Sequence, residues 1–413
     1  MSKHFLVLGN HPDLALAELL SILPQAKLLA FQDRAAVLDV QNWDGAKLMN
    51  LLGGTVKLGD IVLETKTGDL NPSTVAETIS TRDAAALDFG FTAFVPEKSK
   101  KQFEKFPMAV KKVLREKGHS VRWVTGDEGK EISPAAVAKC KLLETPNADI
   151  VVISDGGKRD VAGKNPDVTV YVGRTAQVQD ADAWSARDYG RPRRDDRGGM
   201  LPPKLARMMV NLARVPKGGA LLDPFCGSGT VLMEAALATD AGRIMGSDIA
   251  QRCIQDTQAN NDWLISENLL DRGANQKFSV FQSDARQIDK KIPPRSVDAV
   301  VTEGWLGPPL RGDETEEHLQ GIAQEVGDVW RRALTALRPT LKDTAIVVMV
   351  LPSYKADKKV IQPGIVQELA TLGYTLKHPL SNVDARPPAL YYQRPDQHVR
   401  RNILVLKLQN QLG

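Results

Sequence analysis

A short stretch near the middle of the chain has the residue types of a loop that binds a nucleotide-like cofactor. Two leucines lead into an acid, a proline and two glycines, and an apolar run follows. The residues are Asp223, Pro224, Phe225, Cys226, Gly227, Ser228, Gly229 and Thr230. A strand, a glycine turn and a helix in this order form a cofactor loop at the carboxyl edge of a parallel sheet. The glycines let the backbone approach a ligand closely, and the helix N-terminus offers free N–H groups.

Two commoner glycine motifs are excluded by the flanking residues. A dinucleotide-binding loop requires a third glycine, but the chain has Leu232 at that position. A P-loop requires a lysine followed by serine or threonine after the last glycine, and this chain has no lysine there. The pattern that remains resembles the S-adenosyl-L-methionine (AdoMet) motif of the amino-group methyltransferases of RNA and DNA. This resemblance implies AdoMet as the cofactor. The alternative is a glycine-rich turn that binds no ligand.

Two further acids follow predicted strands. Asp248 comes 19 residues after Gly229, and at that offset an acid at the end of the next strand can accept hydrogen bonds from ribose hydroxyls. Asp284, followed by Ala285, ends a strand predicted at residues 278–282. The resemblance places such an acid against the adenine amino group. Acids at strand ends also cap helices, but three in register, counting Asp223, indicate a cofactor site.

Residues 297–309 predict a fourth strand and the loop where chemistry occurs. In the methyltransferases that the chain resembles, this loop carries Asp or Asn, two prolines and an aromatic residue. Its acid or amide oxygen and a main-chain carbonyl hold the target amine, and the aromatic ring stacks on a base that has left its helix. Here Glu303 stands for the acid, Gly304 and Trp305 for the prolines, and Leu306 for the aromatic residue.

Three of the four substituted positions keep the required functional groups. Glu303 can accept the amine bond, Gly304 can offer its carbonyl, and Trp305 can stack one position early. We therefore predict these three as the catalytic residues. The alternative is a degenerate loop that no longer transfers a methyl group.

Basic residues are concentrated in one segment rather than spread over the chain. The net charge is +4, whereas residues 97–123 contain nine Lys or Arg against three Glu. A helix predicted at residues 106–117 directs Lys111, Lys112 and Arg115 mostly outward. A solvated face is the alternative to RNA binding. However, the pattern at residues 147–152 and 168–174 resembles a THUMP domain, an RNA-binding module, and this favours RNA contact.

A second basic segment lies in the predicted linker, residues 176–200. Its central run has five arginines against three aspartates, together with glycine and proline and no apolar period. We predict an exposed connector. It is either solvated only, or it clamps phosphates, because arginine offers forked donors to phosphate oxygens. The arginines predicted to contact RNA are Arg187, Arg191, Arg193 and Arg194.

The composition is that of an ordinary globular chain. With 413 residues, 42% hydrophobic and 25% charged, two or three domains are expected. The three cysteines have neither metal-binding nor disulfide spacing, which suits a reducing cytoplasm, and we predict no metal site. Neither a signal peptide nor an apolar run of membrane-spanning length is visible, so no membrane partner is expected.

The order of elements predicts an α/β chain of several modules. Residues 1–68 read as β-α-β-β-α-β and predict a ferredoxin-like module. Residues 69–175 are assigned to the THUMP domain, 176–200 to the linker, and 201–413 to a Rossmann-like methyltransferase domain. Taken together, the chain resembles the THUMP-containing tRNA guanine-N2-methyltransferases of the archaeal and eukaryotic type.

This resemblance covers nearly the whole chain and implies a function. It implies tRNA as the partner and the exocyclic amine of a guanosine, position ten in the best-known members, as the methyl acceptor. Some relatives need a small zinc-binding activator subunit. The alternatives are ribosomal RNA, an adenine or cytosine amine, or an RNA-binding protein without catalysis. The sequence leaves open the modified nucleotide, mono- or dimethylation, and the oligomeric state.

Overall fold

The computed structural model describes residues 2–79, 84–126, 131–155, 168–194, 200–271, 273, 277–356, 359–383, 387–394 and 397–409. The chain divides into two compact units. The first comprises Met1–Leu16 and Leu23–Asp182, and the second comprises Ala17–Ile22 and Ala183–Gly413. No helix within the described ranges has both the length and the apolar character needed to span a membrane.

The N-terminal part of the chain alternates strands and short helices. In the described residues these are β1 (Ser2–Leu8), α1 (Pro12–Ile22), β2 (Lys27–Gln32), β3 (Ala35–Val40), α2 (Gly45–Leu51), β4 (Thr55–Lys66), α3 (Pro72–Glu77), β5 (Ala86–Phe94), α4 (Glu97–Glu104), α5 (Phe106–Glu116), β6 (Ser120–Val124), α6 (Pro134–Lys139), β7 (Ala148–Ser154) and β8 (Thr169–Val178).

These strands form one sheet in the order β2-β3-β1-β4-β8-β7-β5-β6. The first four strands follow the predicted β-α-β-β-α-β order, and β1 is antiparallel to both β3 and β4. Strand β4 pairs with β8 from Lys57↔Val178 to Lys66↔Thr169. The segments predicted as a ferredoxin-like module and a THUMP domain therefore share a continuous sheet. The boundaries at residues 68 and 175 stay predictions.

Two glycines allow the β4–β8 pairing to pack closely on the core. A Cβ atom added at Gly59 would lie 2.0 Å from the Arg174 carbonyl oxygen and 2.8 Å from the Phe5 ring, and one added at Gly173 would lie 2.3 Å from that ring. Phe5 is fully buried. The aromatic ring therefore fills the space that a side chain at Gly173 would need, and the ring and the backbone of β8 together fill the space at Gly59.

The second part of the chain contains the remaining elements. In the described residues these are α7 (Ala181–Ser185), α8 (Pro203–Ala213), β9 (Ala220–Asp223), α9 (Thr230–Ala238), β10 (Arg243–Asp248), α10 (Gln251–Ser266), β11 (Phe278–Gln282), β12 (Val297–Glu303), α11 (Glu316–Leu337), β13 (Leu341–Ala356), β14 (Lys359–Ile361), β15 (Tyr374–Lys377), β16 (Tyr391–Tyr392) and β17 (Val399–Leu408).

The main path of the second sheet has the order β11-β10-β9-β12-β13-β17-β15. Strands β9 to β13 pair in parallel, and β17 is antiparallel to both β13 and β15. The strand order reverses between β9 and β12, and ligands bind at such a switch point outside the carboxyl ends of the strands. The predicted Rossmann-like α/β fold is confirmed, and it brings the ends of β9, β10 and β12 together.

The segment predicted as an exposed connector is partly helical. Helix α7 is followed directly by a π-helical turn at Ala186–Gly190. Trp184 on α7 is buried, and the Arg187 guanidinium lies 4.1 Å from its ring centroid. A cation held over an indole is stabilised by the ring's electron density. This contact joins α7 to the π-helical turn and buries part of the predicted connector.

Candidate active site

The glycine loop after β9 is fixed by hydrogen bonds from two neighbouring elements. Both glycines predicted to shape it have positive φ, 51° at Gly227 and 86° at Gly229, which side chains rarely adopt. The Gly227 amide donates to Asp248 Oδ2 at 3.1 Å, while Asp248 Oδ1 accepts from the Ala250 amide at 3.0 Å. The carboxylate at the end of β10 thus orients the loop that precedes it in the chain.

Helix α10 supplies two loop contacts that the sequence analysis missed. The Thr257 hydroxyl donates to the Gly227 carbonyl at 2.7 Å, and the Asn260 amide donates to the Ser228 carbonyl at 2.8 Å. Both side chains are fully buried. They lie three residues apart and hence on one helix face, which is the only sequence feature that could have indicated them.

The predicted site residues line a single cavity of about 470 Å³ within the second unit. Gly229 is the exception, because a Cβ there would lie 2.8 Å from Thr257 Cγ2, so this glycine serves helix packing. The predicted residues at the wall are Asp223, Pro224, Phe225, Cys226, Gly227, Ser228, Thr230, Asp248, Asp284, Ala285, Glu303, Gly304 and Trp305.

The cavity has the features that AdoMet requires. A Cβ at Gly227 would meet no atom within 4 Å, so its backbone faces open space from which a ligand can approach. Carboxylates from the ends of β9 and β10 line the same space and provide acceptors. The residues present therefore fit the cofactor, with the glycine loop, Asp223 and Asp248 as the groups that would hold it.

Asp223 is an unusual carboxylate because it is almost completely buried. Its Oδ1 accepts a hydrogen bond from the Phe225 amide at 3.1 Å. Burial raises the pKa of the carboxyl group to about 7, although the Phe225 hydrogen bond acts in the opposite direction. The pKa of this carboxyl group therefore lies near neutral pH.

Asp284 is engaged by its own neighbour. Its Oδ1 accepts from the Arg286 amide at 2.9 Å, and its carboxylate pairs with the Arg286 guanidinium, Nη2 to Oδ2, at 2.6 Å. The side-chain hydrogen bonds with Arg286 lower the pKa of this carboxyl group. The predicted contact between the Asp284 carboxylate and adenine remains a prediction.

Glu303 ends β12 and forms an ion pair that the sequence did not reveal. Its Oε1 accepts from Arg401 Nε at 2.6 Å. Arg401 is buried, with 3% of its side chain exposed, and Glu303 is only slightly accessible, with 11% of its side chain exposed. Burial raises the pKa of the Glu303 carboxyl group, while the Arg401 charge lowers it. The acid in the predicted catalytic loop is thus paired with a cation that lies 98 residues later in the chain.

The loop after Glu303 is held by neighbouring aromatic residues in place of prolines. A Cβ at Gly304 would lie 2.5 Å from Trp330 Cζ2, so the indole occupies the space that a proline ring would take. The Tyr354 hydroxyl donates to the Leu306 carbonyl at 2.8 Å. Trp305 remains 42% exposed at the cavity wall. Trp330 and Tyr354 therefore hold the loop on its buried side, and the Trp305 ring is exposed at the cavity.

The residues predicted to contact RNA fall into two groups. On α5, Lys112 and Arg115 are exposed and Lys111 is half-buried. After the π-helical turn, Arg193 and Arg194 are also exposed, and Arg194 lies over the Tyr189 ring at 5.3 Å. These five side chains are placed where a polyanion can reach them.

Arg187 and Arg191 do not fit the predicted phosphate clamp, because both are buried. Arg187 Nε donates to Glu234 Oε1 at 2.9 Å. Arg191 Nη1 donates to the Thr230 hydroxyl at 2.7 Å, and burial lowers the pKa of its guanidinium to about 10. We correct the prediction for these two residues. Their guanidinium groups attach the linker to helix α9.

The sheet order, the glycine loop at the switch point and the acidic loop on the adjacent strand define a Rossmann-like AdoMet-dependent methyltransferase domain. Residues 191–363 match the family model UPF0020, RMKL-like, methyltransferase domain. This match confirms the predicted AdoMet cofactor. The crystal structure of TrmN from Thermus thermophilus has a similar fold, with a TM-score of 0.51 and 17% identity over 99% of this chain and 100% of that one.

Sequence relatives specify the family. The tRNA (guanine(10)-N2)-dimethyltransferase of Methanothermobacter thermautotrophicus is 34% identical over 160 residues, 38% of this chain and 40% of that relative. A probable tRNA (guanine(10)-N2)-dimethyltransferase of Methanothermococcus thermolithotrophicus is 32% identical over 31% of this chain and 74% of that relative. The chain belongs to the THUMP-type tRNA guanine-N2-methyltransferase family, although it matches only two fifths of the length of the first relative.

Proposed function

We propose that the protein transfers a methyl group from AdoMet to the exocyclic N2 amine of a guanosine in tRNA, at position 10. The observation that supports this proposal most directly is the shared cavity. Its wall combines the glycine loop of the cofactor site with Glu303, Gly304 and Trp305 from the next strand. A methyl donor and an amine held by these two loops would meet in the same space. The choice of the guanosine N2 amine and of tRNA as substrate rests on the names of the relatives.

The chain's own residues position the acceptor. AdoMet, when bound, supplies an electrophilic methyl group. Glu303 Oε1 is paired with Arg401, whereas Oε2 has only a 3.5 Å contact to the same guanidinium and is left to accept an amine N–H. The Gly304 carbonyl is the second acceptor in our proposal. Two acceptors direct the nitrogen lone pair towards the methyl carbon, and Trp305 stacks on the guanine ring.

Glu303 does not need to act as a base before the methyl group moves. The amine lone pair would attack the methyl group that bound AdoMet would supply, and this attack requires no prior loss of a proton. The nitrogen becomes acidic only after it has been methylated, and its proton then passes to water. The structural requirement is therefore orientation of the amine rather than proton removal.

The first experiment measures methyl transfer from labelled AdoMet to tRNA that lacks modifications, followed by nucleoside analysis by mass spectrometry. We expect N2-methylguanosine or N2,N2-dimethylguanosine, and the ratio of the two reports whether the product is bound again. Glu303→Ala should reduce product formation by about 100-fold, as expected for loss of one positioned acceptor. Its matched control is Glu325→Ala, an exposed acid on α11.

The outcomes separate the alternatives. A methylated adenine or cytosine would contradict the guanosine assignment. Incorporation into ribosomal RNA but not tRNA would contradict the tRNA assignment. AdoMet binding without transfer to any RNA would contradict catalysis by the chain alone, and adding a small zinc-binding activator subunit then tests the predicted partner. We place the activity in the cytoplasm, which the three free cysteines support.

The RNA-binding side chains have their own test. Arg193→Ala combined with Arg194→Ala should weaken tRNA binding and reduce its salt dependence. Each lost phosphate contact lowers the slope of the logarithm of the binding constant against the logarithm of salt concentration by about one. AdoMet affinity should not change. The double variant Lys112→Ala with Arg115→Ala tests the α5 face in the same way. Unchanged tRNA affinity and slope in either variant would remove that segment from the RNA interface.

A further inference from the structure

The ion pair between Glu303 and Arg401 spans an intervening strand. Strand β13 lies between β12 and β17, with Glu303 paired to Val350 and Pro352 paired to Arg401. Neighbouring strands lie about 4.8 Å apart, so the two backbones are separated by roughly 10 Å. Only a long side chain from β17 can reach the carboxylate at the end of β12. An arginine at this position supplies that length.

The Arg401 guanidinium is itself held on its other side. Its Nη1 donates to Gln397 Oε1 at 2.9 Å, while its Nε donates to Glu303 Oε1 at 2.6 Å. Arg401 is 3% exposed, so these bonds form away from water. A guanidinium with its donors engaged on two sides has a single orientation. It therefore gives the Glu303 carboxylate a single orientation too.

The ion pair with Arg401 restrains the Glu303 side chain in a loop that lacks the aspartate and prolines of related loops. A glutamate has one more rotatable bond than the aspartate of related loops, and the proline rigidity after it is missing. Left alone, such a side chain would lose more conformational entropy when it binds an amine. The pairing of Oε1 removes this freedom in advance, while Oε2 has only the longer 3.5 Å contact to Arg401 Nη2 and belongs to a side chain at the cavity wall.

We propose that Arg401 is a positioning residue, which fixes the charged Glu303 carboxylate so that Oε2 meets the target amine. The inference rests on the proposed function, because it assigns Glu303 to the amine. Arg401 touches neither cofactor nor substrate and exchanges no proton. It acts through Glu303 alone, and Gln397 supports it from the opposite side.

Three variants test the inference in the full-length protein: Arg401→Gln, Arg401→Lys and the control Arg400→Gln. Arg400 is the next residue on β17, and its guanidinium lies 3.6 Å from the Tyr391 ring centroid. We expect Arg401→Gln to lower kcat by about 30- to 100-fold, as for a misplaced catalytic group, with the AdoMet Kd changed by less than twofold. Arg401→Lys should recover part of kcat, and Arg400→Gln should keep it.

The pH dependence of kcat provides a readout that a purely structural role would not change. Among the described residues, the titratable groups that interact with Glu303 are Arg401 from β17 and the carboxyl group of Asp223 from β9. Removing the cation leaves burial and Asp223 to favour the protonated acid. The acid limb of the profile should therefore move to higher pH in Arg401→Gln and remain in place in Arg400→Gln.

Two results would overturn the inference. One is an Arg401→Gln variant with normal kcat and an unshifted acid limb. The other is a parallel loss of kcat, AdoMet affinity and thermal stability without recovery by lysine, which would indicate a structural role only.

A measurement without RNA separates this inference from the proposed function. The side-chain carboxyl carbon of Glu303, labelled with carbon-13 and assigned with Glu303→Gln, is titrated by NMR. A higher titration midpoint in Arg401→Gln supports the coupling even if the wild-type protein methylates no tRNA. An unchanged midpoint rejects the inference even if methyl transfer is observed.

Discussion

Gly304 offers the sharpest test of how the proposed catalytic loop is held. An alanine at this position would place its Cβ 2.5 Å from Trp330 Cζ2. Carbon atoms in contact prefer about 3.5–4.0 Å, so the loop or the indole must move by at least roughly 1 Å. Trp330 is fully buried and packs against Phe225 with ring centroids 5.3 Å apart. The loop is therefore the part that must yield.

The expected loss follows from this displacement. A shift of about 1 Å in a catalytic group costs on the order of 100-fold in rate, so we expect Gly304→Ala to lower kcat by about 10- to 100-fold. Overpacking of a core position costs about 1–3 kcal/mol of unfolding free energy. The AdoMet Kd should change much less than kcat, because the glycine loop has its own anchors in Asp248, Thr257 and Asn260.

The assay compares three quantities in two glycine variants. Steady-state methyl transfer to tRNA gives kcat, calorimetry gives the AdoMet Kd, and urea unfolding gives stability. Gly321→Ala is the matched control, because Gly321 lies on α11 with Trp330 and an added Cβ there meets nothing within 4 Å. The unfolding free energy of the Gly321→Ala control should rise by about 0.5–1 kcal/mol, and its kcat should not change. A kcat for Gly304→Ala within twofold of wild type would refute the reasoning.

Three further perturbations have defined outcomes. Asp248→Ala removes the acceptor for the Gly227 amide, and the AdoMet Kd measured by equilibrium dialysis should rise about 10- to 100-fold; an unchanged Kd would exclude the loop-orienting role. Because burial raises the pKa of Asp223 to about 7, its folded form binds a proton between about pH 4 and 7 that the unfolded chain releases. The unfolding free energy of the wild type should therefore fall by up to about 4 kcal/mol relative to that of Asp223→Asn as pH rises through this window. Urea unfolding that gives the same difference between the two proteins at pH 4.5 and 7.5 would contradict this. Glu234→Ala leaves buried arginine side chains without their anion and should cost about 3–5 kcal/mol in urea unfolding, whereas a loss below 1 kcal/mol would show that the pair is dispensable.

Local sequence patterns predicted much of the site's backbone. The glycine loop, the acid after β10 and the strand before Glu303 depend on residues that are near one another in the chain. Their cavity was predictable because the carboxyl ends of parallel strands meet at a switch point. The confirmed fold class has the same origin, since strand and helix periods are local properties.

The partners of charged side chains were not predictable in the same way. Arg401 meets Glu303 across 98 residues, and Arg187 meets Glu234 across 47. A run of arginines indicates positive charge but not which guanidinium becomes buried. The prediction for Arg187 and Arg191 was wrong for this reason, and the role of Trp330 behind Gly304 was missed because it depends on tertiary packing.

The shared sheet of the first unit has a consequence for synthesis of the protein on the ribosome. Lys66 and Thr169, which pair at one end of β4 and β8, are separated by 103 residues. At about 5–20 residues per second, the edge of β4 waits roughly 5–20 s before its partner strand emerges. An unpaired edge strand is a site for association with other chains. Nascent chains stalled between these residues should therefore be the species that chaperones retain longest.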